Sequence, residues 1–248
     1  MERTMTDPAP TAPQRPQELT THGETRSDPW FWLRDVSDPE TLEYLRAENA
    51  HTEAVMASEE PLQQSLYEEM RGRIKEDDST VPQKEGDYYY YTRFEEGKQY
   101  PIHCRKHLSL DAPEQILIDV NELAKDKDYC RVGRWENSPD HRWLAYSVDT
   151  DGSEQYTIVI KDLETGDLLG EAITNSYYSL EWANDSQTIF YDVLDENHRP
   201  VKILKHRLGE DPSADETVYE ETDERFFVHV LKSSSKRFIF VASSGNDM

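Results

Sequence analysis

"NSPDHRWLAYSVDTDGSEQYTIVIKDLETG", residues 137–166, reads as short strands punctuated by turns. "NSPD" makes a turn, "WLAYSVD" a strand, "DGSEQYTIVIKDL" a hairpin with the next strand, and "ETG" a turn into "DLLGEAI". Gly, Pro, Asn and Asp mark the turns because they suit the backbone conformations a reversal needs, while Tyr, Ile and Val fill a pleated, half-buried surface. Antiparallel β structure built from hairpins follows.

The unit recurs. Asp140 and "WLAYS" (143–147) align with Asp185 and "TIFYD" (188–192) at an offset of 45, and "RFIFV" (237–241) follows about 50 further on. "YYYYT" (88–92) stands 55 before "WLAYS". Repeats of this length match four-stranded propeller blades, each of which buries its faces only against its neighbours. Such blades hide those faces by closing into a ring of about four to eight. Residues 76–248 hold fewer than four units, and the last breaks off just after "RFIFVASSG". The expected fold is mainly β, a partial, incomplete propeller of about three to four blades over 76–248.

Ahead of the strands, periodicity is helical. Ser37 stands three residues before Glu40 in "SDPE", with Pro39 between, which is the capping-box pattern for starting a helix. Leu42, Leu45, Thr52, Val55 and Met56 then recur near helical spacing. Pro61 ends or kinks that helix, and Leu62, Leu66, Met70 and Ile74 predict a second one running to about residue 75. Residues 22–75 are therefore expected as a helical segment, and the Pro- and Thr-rich residues 1–21 as a disordered tail.

Composition narrows the partners. With 27 basic and 51 acidic side chains the net charge is −24, which repels phosphate backbones and anionic lipid, so nucleic-acid and membrane partners are not expected. Cationic ligands would be attracted, although acidity also serves solubility alone. Cys104 and Cys130 are the two cysteines, too few for a disulfide framework, and the N-terminus lacks an apolar signal core. A cytoplasmic location is the expectation.

Catalytic motifs are missing from these residues. Gly166 and Gly170 flank Leu168, so no Gly-x-Ser-x-Gly nucleophile elbow exists, and no Gly-rich phosphate loop is present. "HCRKH" (103–107) offers His103, Cys104 and His107, but strand alternation sends His103 and Cys104 to opposite faces, and structural zinc takes four suitably spaced ligands. These read as packing or surface side chains. The acidic runs 67–70, 75–78 and 215–225 read as solvated faces. No catalytic, cofactor-binding or metal-binding residue is assigned, and no cofactor is expected.

Several stretches are familiar together: "HGETRSDPWFWLRD" (22–35), "YLRAENAHTEAVM" (44–56), "RIKEDDSTVPQKEGDYYYYTRFEEGKQYPIHCRK" (73–106), "LIDVNELA" (117–124), "LDENHRP" (194–200) and "VYEETDERFFV" (218–228). In this order they resemble the N-terminal part of oligopeptidase B, a branch of the prolyl oligopeptidase family of serine peptidases. The resemblance implies a seven-bladed-type propeller over an α/β-hydrolase domain whose Ser, Asp and His lie C-terminal to it and are absent from these 248 residues. It also implies that the helical segment packs on that hydrolase domain, and that the propeller restricts access so that short peptides are cut. The oligopeptidase B branch cleaves after Arg and Lys, which makes short basic peptides the implied partners of the whole enzyme.

On this resemblance the chain alone is an inactive portion of a peptidase; the alternatives are a propeller-type interaction module without peptidase activity and a small self-closing propeller. Blade turns in such proteins usually carry Gly where this chain has His141, so that turn is expected to differ or be weaker. Trp30, Phe31 and Trp32 are expected either to anchor the N-terminal segment into an apolar groove of a hydrolase domain or to staple onto Leu42 and Leu45.

Overall fold

The computed structural model describes residues 8–245, which divide into two compact units at Lys75 and Glu76. In the first, β1 (Gln17–Thr21) and β2 (Glu24–Asp28) pair as a hairpin whose two-residue turn places both His22 and Gly23 at positive φ. This tight reversal matches the twist of the flanking strands. The expectation of a disordered tail to residue 21 therefore fails over Gln17–Thr21, because the register runs in full from Gln17↔Asp28 to Thr21↔Glu24.

A 3₁₀ turn (Phe31–Arg34) leads to α1 (Pro39–Met56), and a second 3₁₀ turn (Ala57–Glu59) separates it from α2 (Glu60–Gly72). The cap of α1 is Asp38 and not Ser37: its carboxylate accepts the Glu40 N–H at 2.9 Å, while Ser37 donates to Asp35. An Asp next to a Pro at N1 competes directly with Ser for the capping position. Pro61 sits in the first turn of α2, where its missing N–H costs nothing. Thr41 is the one buried residue in these two helices, and Leu42, Leu45, Leu62, Leu66, Met70 and Ile74 are exposed.

The second unit is a run of antiparallel sheets in strict sequence order. The first contains β3 (Gln83–Glu85), β4 (Tyr88–Arg93), β5 (Ile102–His107) and β6 (Glu114–Asp119), followed by a short helix, α3 (Val120–Leu123). The second contains β7 (Arg131–Asn137), β8 (Trp143–Asp149), β9 (Tyr156–Asp162) and β10 (Leu168–Ser176). The third contains β11 (Leu180–Trp182), β12 (Thr188–Leu194), β13 (Pro200–Arg207) and β14 (Glu216–Glu220). A two-stranded sheet, β15 (Phe226–Lys232) and β16 (Ile239–Gly245), ends the described residues. β11 lies against both β7 and β15, so the opening strands gather on one side as blades around an axis do.

Each core lies between two consecutive sheets. Tyr90, Leu117 and Ile118 of the first pack with Leu144 and Tyr146 of the second. Ile158, Ile160 and Ile173 of the second meet Trp182, Ile189 and Tyr191 of the third, and Ile203 of the third meets Val228 and Val230 of the fourth. The strict buried-intermediate alternation of Tyr156–Asp162 shows why the period-two pattern specifies these faces. Trp182, 2% exposed, also donates its indole N–H to the Glu136 carbonyl at 2.9 Å, tying β11 to β7. Burial of one such ring contributes about 1.5–3 kcal/mol.

The repeat is equally plain in the backbone. Gly86, His141 and Ser186 stand two residues before the second strand of their sheet and Lys236 three before it, and they carry φ of 57°, 61°, 55° and 58°. Each turn after the first is closed alike, His141 N–H to Ser138, Ser186 to Ala183 and Lys236 to Ser233. His141 thus adopts the left-handed conformation that Gly usually supplies. The turn is not left weak: its imidazole bonds the Tyr90 hydroxyl at 2.7 Å and packs on Tyr88, while Arg105 donates to the His141 carbonyl at 2.6 Å.

Candidate functional site

The opening strands of the second, third and fourth sheets enclose a cavity of about 700 Å³. β7 brings Gly133 and Arg134 to it, the start of β11 brings Leu180 and Glu181, and β15 brings Phe227, His229 and Leu231. Glu181 is 8% exposed, and Arg134 spans it (3.3 Å) and Glu136 (2.7 Å). Burial raises the carboxyl of Glu136 to about 7 and raises that of Glu181, with Arg134 opposing both shifts. Glu136 and Glu181 are also 45 residues apart, the blade offset, so extending the repeat one strand back would have found both in the sequence.

Asp192 on β12 closes one wall. At 1% exposure its carboxylate accepts the N–H groups of Tyr177 (2.9 Å) and Ser179 (3.2 Å) and the Ser176 hydroxyl (3.3 Å), fixing the linker from β10 to β11. Burial lifts its carboxyl to about 7 against the pull of those donors. The linker holds Tyr177 and Tyr178 with ring centroids 4.0 Å apart, and Tyr156 stands edge-on to both.

The residues singled out by sequence occupy separate places. His103 bonds the Thr92 hydroxyl at 2.9 Å and stacks near Trp135, and burial lowers its pKa to about 4. Cys104 is fully buried with its thiol pushed up to about 12, and His107 packs on Tyr88. In the acidic run 215–225, Glu216, Glu220 and Glu224 are exposed and Glu221 and Asp223 half-buried, while the 3%-exposed carboxylate of Asp215 accepts the Tyr191 hydroxyl and meets His206 Nδ1, both at 2.8 Å. Sequence reasoning missed His206 because nothing in "KILKHRLG" marks it as fully buried. Its other nitrogen lies 3.6 Å from Glu171 and has no hydrogen-bond partner among the described residues, so among them this His–Asp pair orients no nucleophile. In the first unit, Trp32 donates to the Pro13 carbonyl at 3.0 Å and lies beneath Arg15, while Trp30, Leu42 and Leu45 are exposed.

A family model described as "Prolyl oligopeptidase, N-terminal beta-propeller domain" matches residues 10–247. The chain belongs to this family. It is 39% identical over 242 residues to Protease 2 of Moraxella lacunata, covering 95% of this chain and 35% of the relative. It is 43% identical over 239 residues to dipeptidyl aminopeptidase BI of Pseudoxanthomonas mexicana, covering 89% of this chain and 33% of the relative. Oligopeptidase B from Leishmania major superposes with a TM-score of 0.88 at 30% identity, covering 96% of this chain and 36% of that one. Oligopeptidase B from Trypanosoma brucei, with covalently bound antipain in a closed form, gives 0.87 at 30% identity over the same shares. The chain thus spans about a third of the length of the relatives it matches, and that third is the propeller end. Among the described residues no helix is long and apolar enough to cross a membrane.

Proposed function

We propose that this chain is the propeller and N-terminal arm of an oligopeptidase B-like serine peptidase, cytoplasmic, and inactive when it stands by itself. The observation that carries the reading is the superposition on two oligopeptidase B structures over 96% of this chain and 36% of theirs. Acyl transfer needs an activated nucleophile, its base and an oxyanion site together, and these 248 residues present no Gly-x-Ser-x-Gly segment. In the whole enzyme the blades restrict access to short peptides, and cleavage follows Arg or Lys. The −24 charge supports that preference through attraction of cationic peptides.

The helical unit supports a docking role. Leu62, Leu66, Met70 and Ile74 recur every four residues on α2 and just beyond it, all exposed, which leaves an apolar stripe suited to a neighbouring domain. Mixing the chain with a separately produced α/β-hydrolase portion of a relative, then assaying a fluorogenic arginyl peptide, tests the reading. Restored turnover with preference for Arg over a neutral residue supports it; a stable complex that prefers neutral peptides contradicts the basic specificity.

A further inference from the structure

The turns that follow the opening strands are linked in a circuit. Arg105 of the first sheet donates to the His141 carbonyl, the Asp140 N–H donates to the Ser186 hydroxyl at 3.1 Å, and the Asn184 amide donates to the Lys236 carbonyl at 2.9 Å. The last link returns to the start: the Lys236 ammonium pairs with Glu85 on β3, joining the fourth sheet to the first across 151 residues of sequence. It is the one link in the circuit made between two full charges, and so the one that a third charge can disturb.

Glu136 supplies that third charge. On β7 it borders a cavity of about 400 Å³ together with Glu85 and Lys236; Lys84 also lines this cavity but carries its ammonium over the Tyr89 ring. A neighbouring cavity sets Glu136 against Glu181 and Lys232, where Lys232 donates to the Trp182 carbonyl at 2.6 Å. A single nitrogen of Arg134, Nη2, serves both Glu136 at 2.7 Å and Glu181 at 3.3 Å. Burial pushes Tyr90 up to about 12 and His141 down, so neither of these two neighbours carries charge near neutral pH. With Glu136 protonated, Arg134 is left to Glu181 and Lys236 to Glu85. With Glu136 ionised, three carboxylates draw on the same two cations, and a buried carboxylate short of a partner is costly. Lys236, on an exposed turn, is the cation that can move to it.

We propose that Glu136 is a pH-operated release for the Glu85–Lys236 clasp: protonated, it leaves the clasp shut; ionised, it draws Lys236 inward and parts the first sheet from the fourth turn. Burial raises the Glu136 carboxyl from its ordinary 4.5 to about 7, with Arg134 and Lys236 opposing the rise and Glu181 and Glu85 adding to it. The clasp is therefore shut below that value and opens as pH rises through it. The device uses only groups of this chain and is independent of any peptide cleavage.

Carbon-13 carboxyl and amide NMR of the full chain, from about pH 5 to about pH 9, tests the release. The Glu136 carboxyl and the Gly86 and Lys236 amides are expected to shift together, with one midpoint at about 7. In Glu136→Gln both amide shifts should vanish. In Lys236→Met the Gly86 shift should vanish while the Glu136 carboxyl still titrates, at higher pH; a shift caused by the Glu136 charge alone would persist there and overturns the release. Amides that do not follow Glu136, or that shift equally in Glu136→Gln, overturn it as well. Where circular dichroism shows that Glu136→Gln fails to fold, Lys236→Met decides, and a Gly86 shift as large as in wild type is the contrary result.

Discussion

His141 Nε2 fills the space that a side chain on Gly86 would need: a Cβ built there meets it at 2.6 Å. The two residues hold the same point of the turn in consecutive blades, both in the left-handed region. One blade uses glycine there, and the next uses a histidine whose ring fills the room the glycine leaves.

Gly86→Ala is therefore expected to destabilise the chain by roughly 1–3 kcal/mol, from positive φ and the clash together. Urea unfolding followed by tryptophan fluorescence measures it. A midpoint equal to wild type would refute the interlocking of the two turns.

His141→Gly should also destabilise, against the simple expectation that glycine relaxes a left-handed turn. Relief of about 1–2 kcal/mol of strain is opposed by loss of the Tyr90 hydrogen bond and the packing on Tyr88, together roughly 1–3 kcal/mol. Because His141 also anchors the first blade to the second, unfolding should lose cooperativity, seen as a broadened melt. A sharper or higher melt contradicts this.

Asp192 and His103 make opposite contributions with pH. The folded pKa of Asp192, about 7, lies above its ordinary 3.8, so the stability it contributes is fully present below the ordinary value and is lost as pH rises through about 7. The folded pKa of His103, about 4, lies below 6.5, so its contribution is present above 6.5 and is lost as pH falls to about 4. Asp192→Asn should therefore compare more favourably with wild type at about pH 8 than at about pH 5, and His103→Gln should flatten the acid side. Parallel stability curves for wild type and both variants would show that neither group titrates as described.

Substituting Leu66 and Met70 with Ser should leave the melting of this chain unchanged, since both are exposed in it. In a complete enzyme of this family the same pair, or Trp30 and Trp32 changed to Ala, should lower the melting temperature by several degrees, from loss of about 1.5–3 kcal/mol per buried side chain. No change in the longer protein would count against docking of the helical unit.

The blades were legible because period-two alternation and a 45-residue offset between Asp140 and Asp185 are local signals. The helices were legible for the same reason, with the cap misplaced by one residue because Ser37 and Asp38 are both good caps. The hairpin of Gln17–Thr21 was not, since "QELTTHGETRSD" carries no apolar alternation and only "HG" marks its turn. The cavity was hidden for a deeper reason: Asp192, Glu181 and Tyr178 come together through packing of separate blades, and no spacing in the chain states which carboxylates lose their water.

Hydrolysis of a fluorogenic arginyl peptide by the purified 248-residue chain alone bears most directly on the claim that these blades shape access without cutting. Background rates at every protein concentration are the expected result. Turnover that rises in proportion to the chain and is stopped by a serine-directed inhibitor would contradict it.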